Sequence, residues 1–596
     1  MNFIEKKISE VFKNIFGYEE NFFIYENDLK KNNGQFALKE TMKIFGMLKK
    51  GNLKCDFEFK NGEEICEKII SEISDNEDFM QNIEKFEIEK PGFLNIFFSE
   101  KGLLNFFSEA EKNFFGNKKN NKNTKILVEY GNENIAKEMG VGHLRSNIIG
   151  KSLINLFEKL DFQVSSINHL GDYGTQFGKL IYAWKMWGNE EELQKNPIKF
   201  LNKIYVKFHD ELEKQEDLNE KGKEEFKKLE NGDEENLKIW KKFVEFSLQE
   251  FQEKYDILGS KFDLMQGESF YQFMIDEIIS ELDESEISSE GEGGAKIVKF
   301  FDEPKGHAKK GEEKAPLMYL KGDGTSTYAI RDLAAIKWRA ENLHPNKILY
   351  CVGKEQAEHF RQVFWVAEKM GWNKGADLIH VKNGHYRLPE GKMSTRKGNV
   401  IKLDELIKTA RIKARELLKT KESFGEFDEK YQEKLVESIA IGAIKFNDLS
   451  QDREGDIVFT WEKAITFEGM SGPYMQYANT RCFSILRKIG DFEEKNIGDF
   501  LEKDFSDDKN EKNKEKNLLF WISKYYGILE LSAKNQKVHH LARYIYTLSQ
   551  EFNSFYAVCR VQDAKNKDFR IFLTQQVNKI ISEGLEILGL DVLEKM

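Results

Sequence analysis

Cysteine and proline are both scarce, with 5 and 7 copies among 596 residues. Cys55, Cys66, Cys351, Cys482 and Cys559 are scattered, with no C-x-x-C pair and no zinc-like spacing. That excludes a disulfide-stapled scaffold and a structural zinc site, and it suits a reducing cytosol. No run of 18 apolar residues occurs, so no transmembrane helix is expected. The opening segment MNFIEKKISEVFKNIF carries acids inside its apolar pattern, so no export signal is expected either. A basic excess is also lacking: 91 Lys+Arg stand against 102 Asp+Glu, a net charge of −11. A uniformly basic nucleic-acid binder is excluded, while a locally basic one is not. No repeat at a fixed period is visible, which argues against a solenoid. The scarcity of proline beside abundant lysine, asparagine and phenylalanine carries no catalytic information.

The chain is long enough for several cores, and 40% hydrophobic with 32% charged residues predicts a soluble multidomain protein. Residues 1–115 read as a small α+β unit, with a strand-like PGFLNIFF at Pro91–Phe98. Gly116–Lys125 lacks apolar side chains and reads as a linker. From 116 to 400 the pattern is α/β. A buried run Ile126–Val128 precedes a helix with Ile149, Leu153, Leu156 and Leu160 at three- and four-residue steps, and further strands are expected at Lys347–Val352 and Leu378–Val381. A charged helical insertion spans about 186–310, within which Asp283–Gly294 reads as a mobile acidic loop. Residues 401–460 form a connecting helical region and 461–596 an all-α domain, with 491–517 as a solvated excursion. The fold class expected is multidomain α/β, with a Rossmann-like parallel-sheet domain at its centre.

Two motifs carry chemistry. Gly140-Val141-Gly142-His143 falls between the first strand of the α/β region and its helix. There glycines admit a phosphate to the backbone, helix-terminal N–H groups favour negative charge, and an imidazole can donate to a phosphoryl oxygen. Lys392-Met393-Ser394-Thr395-Arg396-Lys397-Gly398-Asn399 offers cations and hydroxyls able to follow a triphosphate and to stabilise departing pyrophosphate. Alone, the first reads more simply as a structural turn and the second as a solvated basic loop. Together, some 250 residues apart at the two ends of one α/β region, they resemble the paired signatures of class I aminoacyl-tRNA synthetases.

The surrounding runs resemble the arginyl-tRNA synthetase family: Val128-Glu129-Tyr130, Asn134-Ile135-Ala136-Lys137, Gly142-His143-Leu144-Arg145-Ser146, Asn168 through Gly178, Tyr328 with Arg331-Asp332-Leu333-Ala334, Gln356 with His359-Phe360, Gly472-Pro473-Tyr474, Gln476-Tyr477-Ala478 and Cys559-Arg560-Val561. A guanidinium is a planar five-donor fork, so a site that reads it needs carboxylates in plane and a further acceptor. The resemblance implies Glu129, Tyr328 and Asp332 for this task, and the four-residue step from Tyr328 to Asp332 suits one helical face. It implies Asn134 and Gln356 at the α-amino and α-carboxylate ends, while His169 and Gln176 read either as further contacts or as core or capping residues. Gly140, Gly142, His143, Lys392 and Met393 would hold ATP, and His143, Lys137, Lys392, Lys397 and Ser394 would serve the chemistry. Gly140 departs from the family pattern, which has a histidine there. Thr395 stands where a second loop lysine is usual, a loss that Lys137 is expected to offset. Tyr474, Gln476, Tyr477, Arg481, Tyr556 and Arg560 would meet tRNA.

The resemblance therefore implies ATP-dependent attachment of L-arginine to tRNA(Arg), with ATP entering as its Mg²⁺ complex, no structural metal, a monomer and a cytosolic location. Residues 1–115 would contact the tRNA elbow and 461–596 the anticodon. The pocket should reject lysine, because an ammonium leaves carboxylate lone pairs unpaired. The rival readings are a weakened synthetase-like binder of tRNA or arginine, motivated by Gly140, and a nucleotidyltransferase outside translation. Four stretches, Met139–Phe157, Gly391–Leu403, Met470–Gly490 and Leu531–Gln550, contain cations and no acids. They are where cationic surface for ATP and tRNA is expected.

Overall fold

The computed structural model describes residues 3–17, 24–26, 34–53, 55–215, 217–300, 315–387 and 402–596. At the N-terminus four antiparallel strands lie in the order Ile24–Glu26, Phe36–Leu38, Phe93–Phe98, Ile83–Glu89. Helix Gly62–Ser74 covers them. Its buried Ile65, Cys66, Ile69 and Ile73 recur at helical spacing, and the Asn61 side chain caps it by accepting from Glu64 N–H.

The segment expected as a linker is helical instead. Helix Glu100–Asn121 starts at Ser99, whose Oγ accepts from Gly102 N–H, and runs through 116–121 without a break. Lys118 pairs with Asp161, and Asn121 donates to Leu160 O, so tertiary partners hold a stretch of poor intrinsic propensity. The apolar face of this helix docks on the C-terminal helices: Phe106 stacks on Phe520, Phe114 on Tyr526, and Phe107 meets Phe572 edge-on. Such ring pairs contribute about 0.5–1.5 kcal/mol each beyond area burial. Phe106, Phe107, Phe114, Phe520 and Phe572 thus form a seam between the two ends of the chain.

The central sheet is parallel. In chain order its elements are β1 (Lys125–Glu129), α1 (Val141–Lys159), β2 (Gln163–Asn168), β3 (Leu264–Met265), α2 (Tyr328–Leu343), β4 (Lys347–Tyr350), α3 (Ala357–Lys369) and β5 (Asp377–His380). The spatial order is β5-β4-β1-β2-β3, so the winding reverses between β1 and β4, where Glu129 faces Tyr350. Open α/β sheets bind ligands at such a switch point, outside the carboxyl ends of the strands.

Helices from Glu190 to Leu258 form the first part of the insertion. The second part differs from expectation. The acidic run 283–294 contributes strand Ser288–Glu290, which joins Lys296–Val298 and Leu317–Leu320 in an antiparallel sheet. Asp283 is tied down by Lys296 and by Tyr319 OH at 2.7 Å, and the strand Ser288–Glu290 stands where a loop was expected.

The remaining elements are β6 (Tyr386–Arg387), α4 (Leu403–Leu418), α5 (Glu429–Leu449), β7 (Ile457–Val458), α6 (Gly472–Ile489), α7 (Lys509–Ser523), α8 (Tyr525–Asn535), α9 (His539–Val558) and α10 (Lys567–Ile587). Strands β6 and β7 pair in parallel. The expected excursion 491–517 is folded at its end: α7 begins at Lys509, and its Glu515, fully buried, pairs with Arg570 at 2.7 Å. Among the described residues no helix is long and apolar enough to cross a membrane.

Candidate active site

The β1–α1 loop is bent by left-handed residues, Gly131 (φ 90°), Asn132 (61°) and Ala136 (63°). Glycine and asparagine adopt this region readily; Ala136 pays roughly 1 kcal/mol, offset by its N–H donating to Ser247 Oγ at 3.0 Å. Within the loop Glu133 is fully buried. Its carboxylate accepts from Asn147 Nδ2 (2.7 Å), Asn168 Nδ2 (3.1 Å) and Tyr255 OH (2.6 Å), knitting the loop to α1, β2 and the helical insertion. Asn134 bridges to Gly171, where a Cβ would lie 2.6 Å from Asn134 Oδ1, so a larger residue there would displace the Asn134 side chain. Lys137 reaches solvent, has no salt-bridge partner among the described residues, and lines a recess with Gln176 and Tyr205. The surrounding protein lowers its pKa below the ordinary lysine value.

Gly140 is the N-cap of α1. Its N–H donates to His143 Nδ1 at 3.2 Å, which in the neutral ring leaves the proton on Nε2 as a donor. Burial lowers the His143 pKa, with the Glu133 charge opposing and Lys137 adding to the effect, so the ring is neutral at pH 7. Gly142 is exposed in the first turn. Lys392, Met393, Ser394 and Lys397 lie outside the described residues. Both flanks of that segment are fixed, by β6 before it and by Lys402 after it. Lys402 bridges to Gly140, and Leu403 N–H donates to Met139 O at 3.2 Å.

The residues expected to read a guanidinium gather at the switch point. Glu129 is buried at the end of β1, but Arg339 of α2, itself 1% exposed, already donates to its Oε2 at 2.5 Å. Arg339 also reaches His169 Nδ1 (3.2 Å) and Tyr271 OH (3.3 Å). Asp332 lies between His359 Nε2 at 2.6 Å and His169 Nε2 at 3.7 Å. Burial pushes its carboxyl up, yet His359, His169 and Arg339 outweigh that and hold it below the ordinary aspartate value. Arg331 pairs with Glu268 at 2.8 Å. Two of the three carboxylates are therefore matched by internal guanidiniums, and Asp332 is the one that is not. Tyr328 opens α2, 60% exposed, with its ring 4.6 Å from that of His359. Gln356 is exposed on the turn Lys354–Gln356 beyond β4. Sequence reasoning missed Arg339 and Glu133 and gave His359 no role; no local signal marks Arg339, whose partner lies 210 residues away.

On the helical domain Tyr474 and Arg481 of α6 share Asn553 of α9, at 2.9 and 2.7 Å. Tyr477 carries Lys421 and Arg481 over its ring at 4.7 and 5.6 Å. Tyr556 and Arg560 are exposed. Gln476 corrects the expectation of a tRNA contact. It is fully buried and donates to Ser438 O and Asp591 O, so it packs helices together and is not open to RNA. The acid-free stretches meet in pairs: Gly140 with Lys402, and Tyr474 with Tyr546 at 5.6 Å. Arg453 joins the pairs, since its O accepts from Arg145 while its Nε donates to Gln536 O.

The comparisons with known proteins agree with this layout. The family described as tRNA synthetases class I (R), catalytic domain, matches residues 107–461, the DALR anticodon binding domain 475–596, and the arginyl tRNA synthetase N terminal domain 2–98. The arginine–tRNA ligase of Fusobacterium nucleatum is 36% identical over 551 residues, 92% of this chain and 93% of that protein. That of Clostridium botulinum is 40% identical over 527 residues, 86% and 90% of the two. Among solved structures, arginyl-tRNA synthetase from Plasmodium falciparum superposes with a TM-score of 0.79 at 28% identity, covering 100% of this chain and 98% of that one. The Thermus thermophilus enzyme shares the fold at a TM-score of 0.76 and 20% identity, covering 100% and 99%. With a parallel sheet whose switch point gathers buried carboxylates, a GVGH helix start beside the root of a KMSTRKGN loop, and these matches from end to end, the chain belongs to the arginyl-tRNA synthetase family.

Proposed function

We propose that the chain is an arginine–tRNA ligase acting in two steps. An arginine carboxylate oxygen attacks the α-phosphorus of ATP, the bond to the bridging oxygen breaks, and arginyl-adenylate and pyrophosphate form. A ribose hydroxyl of the terminal adenosine of tRNA(Arg), the 2′ one by class I resemblance, then attacks the adenylate carbonyl and AMP leaves with the electron pair. Neither step needs a protein nucleophile, so catalysis is positioning and charge stabilisation. His143 offers Nε2–H to a phosphoryl oxygen. Lys137 offers an ammonium with no carboxylate partner among the described residues, and Lys392, Lys397 and Ser394 follow the leaving pyrophosphate. Mg²⁺ enters with ATP as substrate; among the described residues no cluster of three His, Cys, Asp or Glu could hold a resident metal ion.

Asp332 reads the guanidinium, with Tyr328 beside it and Glu129 held ready by Arg339, while Asn134 and Gln356 take the α-amino and α-carboxylate ends. Tyr474, Tyr477, Arg481, Tyr556 and Arg560 form the anticodon face of a domain at 461–596, and residues 1–115 meet the tRNA elbow. The enzyme works as a cytosolic monomer. The observation that carries this reading is the 36–40% identity to arginine–tRNA ligases over most of the chain. It is tested by charging tRNA(Arg) transcripts with labelled arginine, lysine serving as the control amino acid. Arginine-specific charging is expected; tRNA or arginine binding without charging would make the chain the weakened binder that Gly140 suggested.

A further inference from the structure

The carboxylate of Asp456, at the head of β7, accepts from three groups that belong to two different parts of the site. Lys354 Nζ donates to Oδ1 at 2.5 Å, His385 N–H donates to the same oxygen at 2.9 Å, and Arg387 pairs with Oδ2. Lys354 opens the turn that ends at Gln356, and its own N–H is fixed on Asn383 O at 2.8 Å. Arg387 is the last described residue before the segment that holds KMSTRKGN. Backbone lacing surrounds this point: Gly384 N–H donates to Arg453 O, Ile457 N–H to His385 O and Phe459 N–H to Arg387 O, at 2.8 to 2.9 Å. The two segments run so close that a Cβ on Gly384 would lie 2.3 Å from Gly455 O. Arg145 of α1, 1% exposed, donates to Gly384 O (2.6 Å) and Gly455 O (3.1 Å) and pairs with Asp448 at 2.9 Å.

We propose that Asp456 is a positioning residue that sets the Gln356 turn and the leading root of the KMSTRKGN loop against each other, so that the amino-acid and ATP halves of the site are aligned by one carboxylate. This deepens the ligase reading and rests on it for its kinetic form. Asp456 touches neither substrate; it acts through Lys354 on one side and through Arg387 and His385 on the other. Its acceptance of all three groups at once is what a purely local surface pair lacks. A misplacement of about 1 Å at a reacting group is worth up to ~100-fold in rate, so a rim carboxylate can matter well beyond its share of stability.

The test is arginine-dependent ATP–pyrophosphate exchange by the full chain with tRNA(Arg) present, together with hydrogen exchange of the same variants. Lys354→Met should raise the arginine KM with little change for ATP, and Arg387→Met should do the reverse. Asp456→Ala should raise both and lower kcat by about tenfold or more, and adding either partner substitution to it should change little further. Asp456→Asn, which keeps an acceptor for His385 N–H and Lys354, should recover part of kcat. Hydrogen exchange in Asp456→Ala should rise in the peptides over 353–356 and 384–387 together. Unchanged KM values and kcat in a folded Asp456→Ala protein, or strictly additive effects, would overturn the proposal. Should wild-type protein show no exchange activity, the ligase reading fails, and the hydrogen-exchange result alone decides whether Asp456 couples the two segments.

Discussion

Replacing Asp332 by asparagine isolates the charge that reads the substrate. Glu129 is already bonded by Arg339 and Glu268 by Arg331, so both carry compensating cations at contact, whereas Asp332 has two imidazoles beside it and feels Arg339 only through space. An incoming guanidinium supplies the missing positive charge. Asparagine keeps one acceptor, loses the charge and turns an NH₂ toward other donors. A hydrogen bond to a charged group is worth about 1.5–3 kcal/mol, so the arginine KM should rise about 10- to 150-fold at 1.4 kcal/mol per decade. The ATP KM should stay within about twofold, because the change removes an arginine contact and no phosphate contact. The assay is pyrophosphate exchange with each substrate varied in turn at saturating partner. Since the surroundings hold Asp332 below the ordinary aspartate value, it stays ionised throughout, and the wild-type arginine KM should not climb on its account between pH 7 and 5. An Asp332→Asn protein with an arginine KM near wild type would remove Asp332 from the pocket and refute the charge-matching scheme.

Glu133→Gln should lower kcat and loosen the loop that carries Asn134 and Lys137, because an amide NH₂ would face Asn147, Asn168 and Tyr255 donors; kinetics and melting equal to wild type would contradict its role as a hub. Lys445, 6% exposed and donating to Gly589 O, is pushed by burial down to about 8. Against the 10.5 of an exposed lysine this costs about 3 kcal/mol while the folded chain holds it charged. Its folded pKa is depressed, so the unfolded chain binds the proton more tightly, and stability should rise as pH goes from 8 to 10. Lys445→Met should flatten that rise in melting scans, and parallel profiles would sink the claim. Arg570→Met strands the buried Glu515 and should cost about 3–5 kcal/mol in urea unfolding, a loss under about 1 kcal/mol counting against it.

The elements that the sequence made legible are those set by local periodicity. The β1–loop–α1 opening and strands β4 and β5 follow from spacing within one segment, while Tyr328 and Asp332 came from the family resemblance, with which their four-residue step on one helix agrees. What escaped was decided by partners far along the chain. Arg339 meets Glu129 across 210 residues, and within the acidic run Ser288–Glu290 is a strand by pairing with Lys296–Val298, while Asp283, the last residue of a helix, is held by Lys296 and Tyr319. Gln476 shows the limit of a motif on a helix. It is adjacent to Tyr477 in sequence, yet neighbours along a helix point about 100° apart. Met475 and Gln476 therefore face the core, while Tyr474 and Tyr477, three residues apart, share the outer side. The net charge of −11 also misled as an average. The acid-free cationic stretches are tied to one another, by the Gly140–Lys402 bridge and, by way of Arg453, through Arg145 and Gln536.

The most direct measurement is isotope exchange between pyrophosphate and ATP by the wild-type chain, dependent on arginine, with and without tRNA(Arg). A catalytic pocket built on His143, Lys137 and the KMSTRKGN loop predicts arginine-dependent exchange when tRNA is present, and none when lysine replaces arginine. No exchange under either condition, from protein that still binds arginine, would contradict it and leave a binding protein in a synthetase fold.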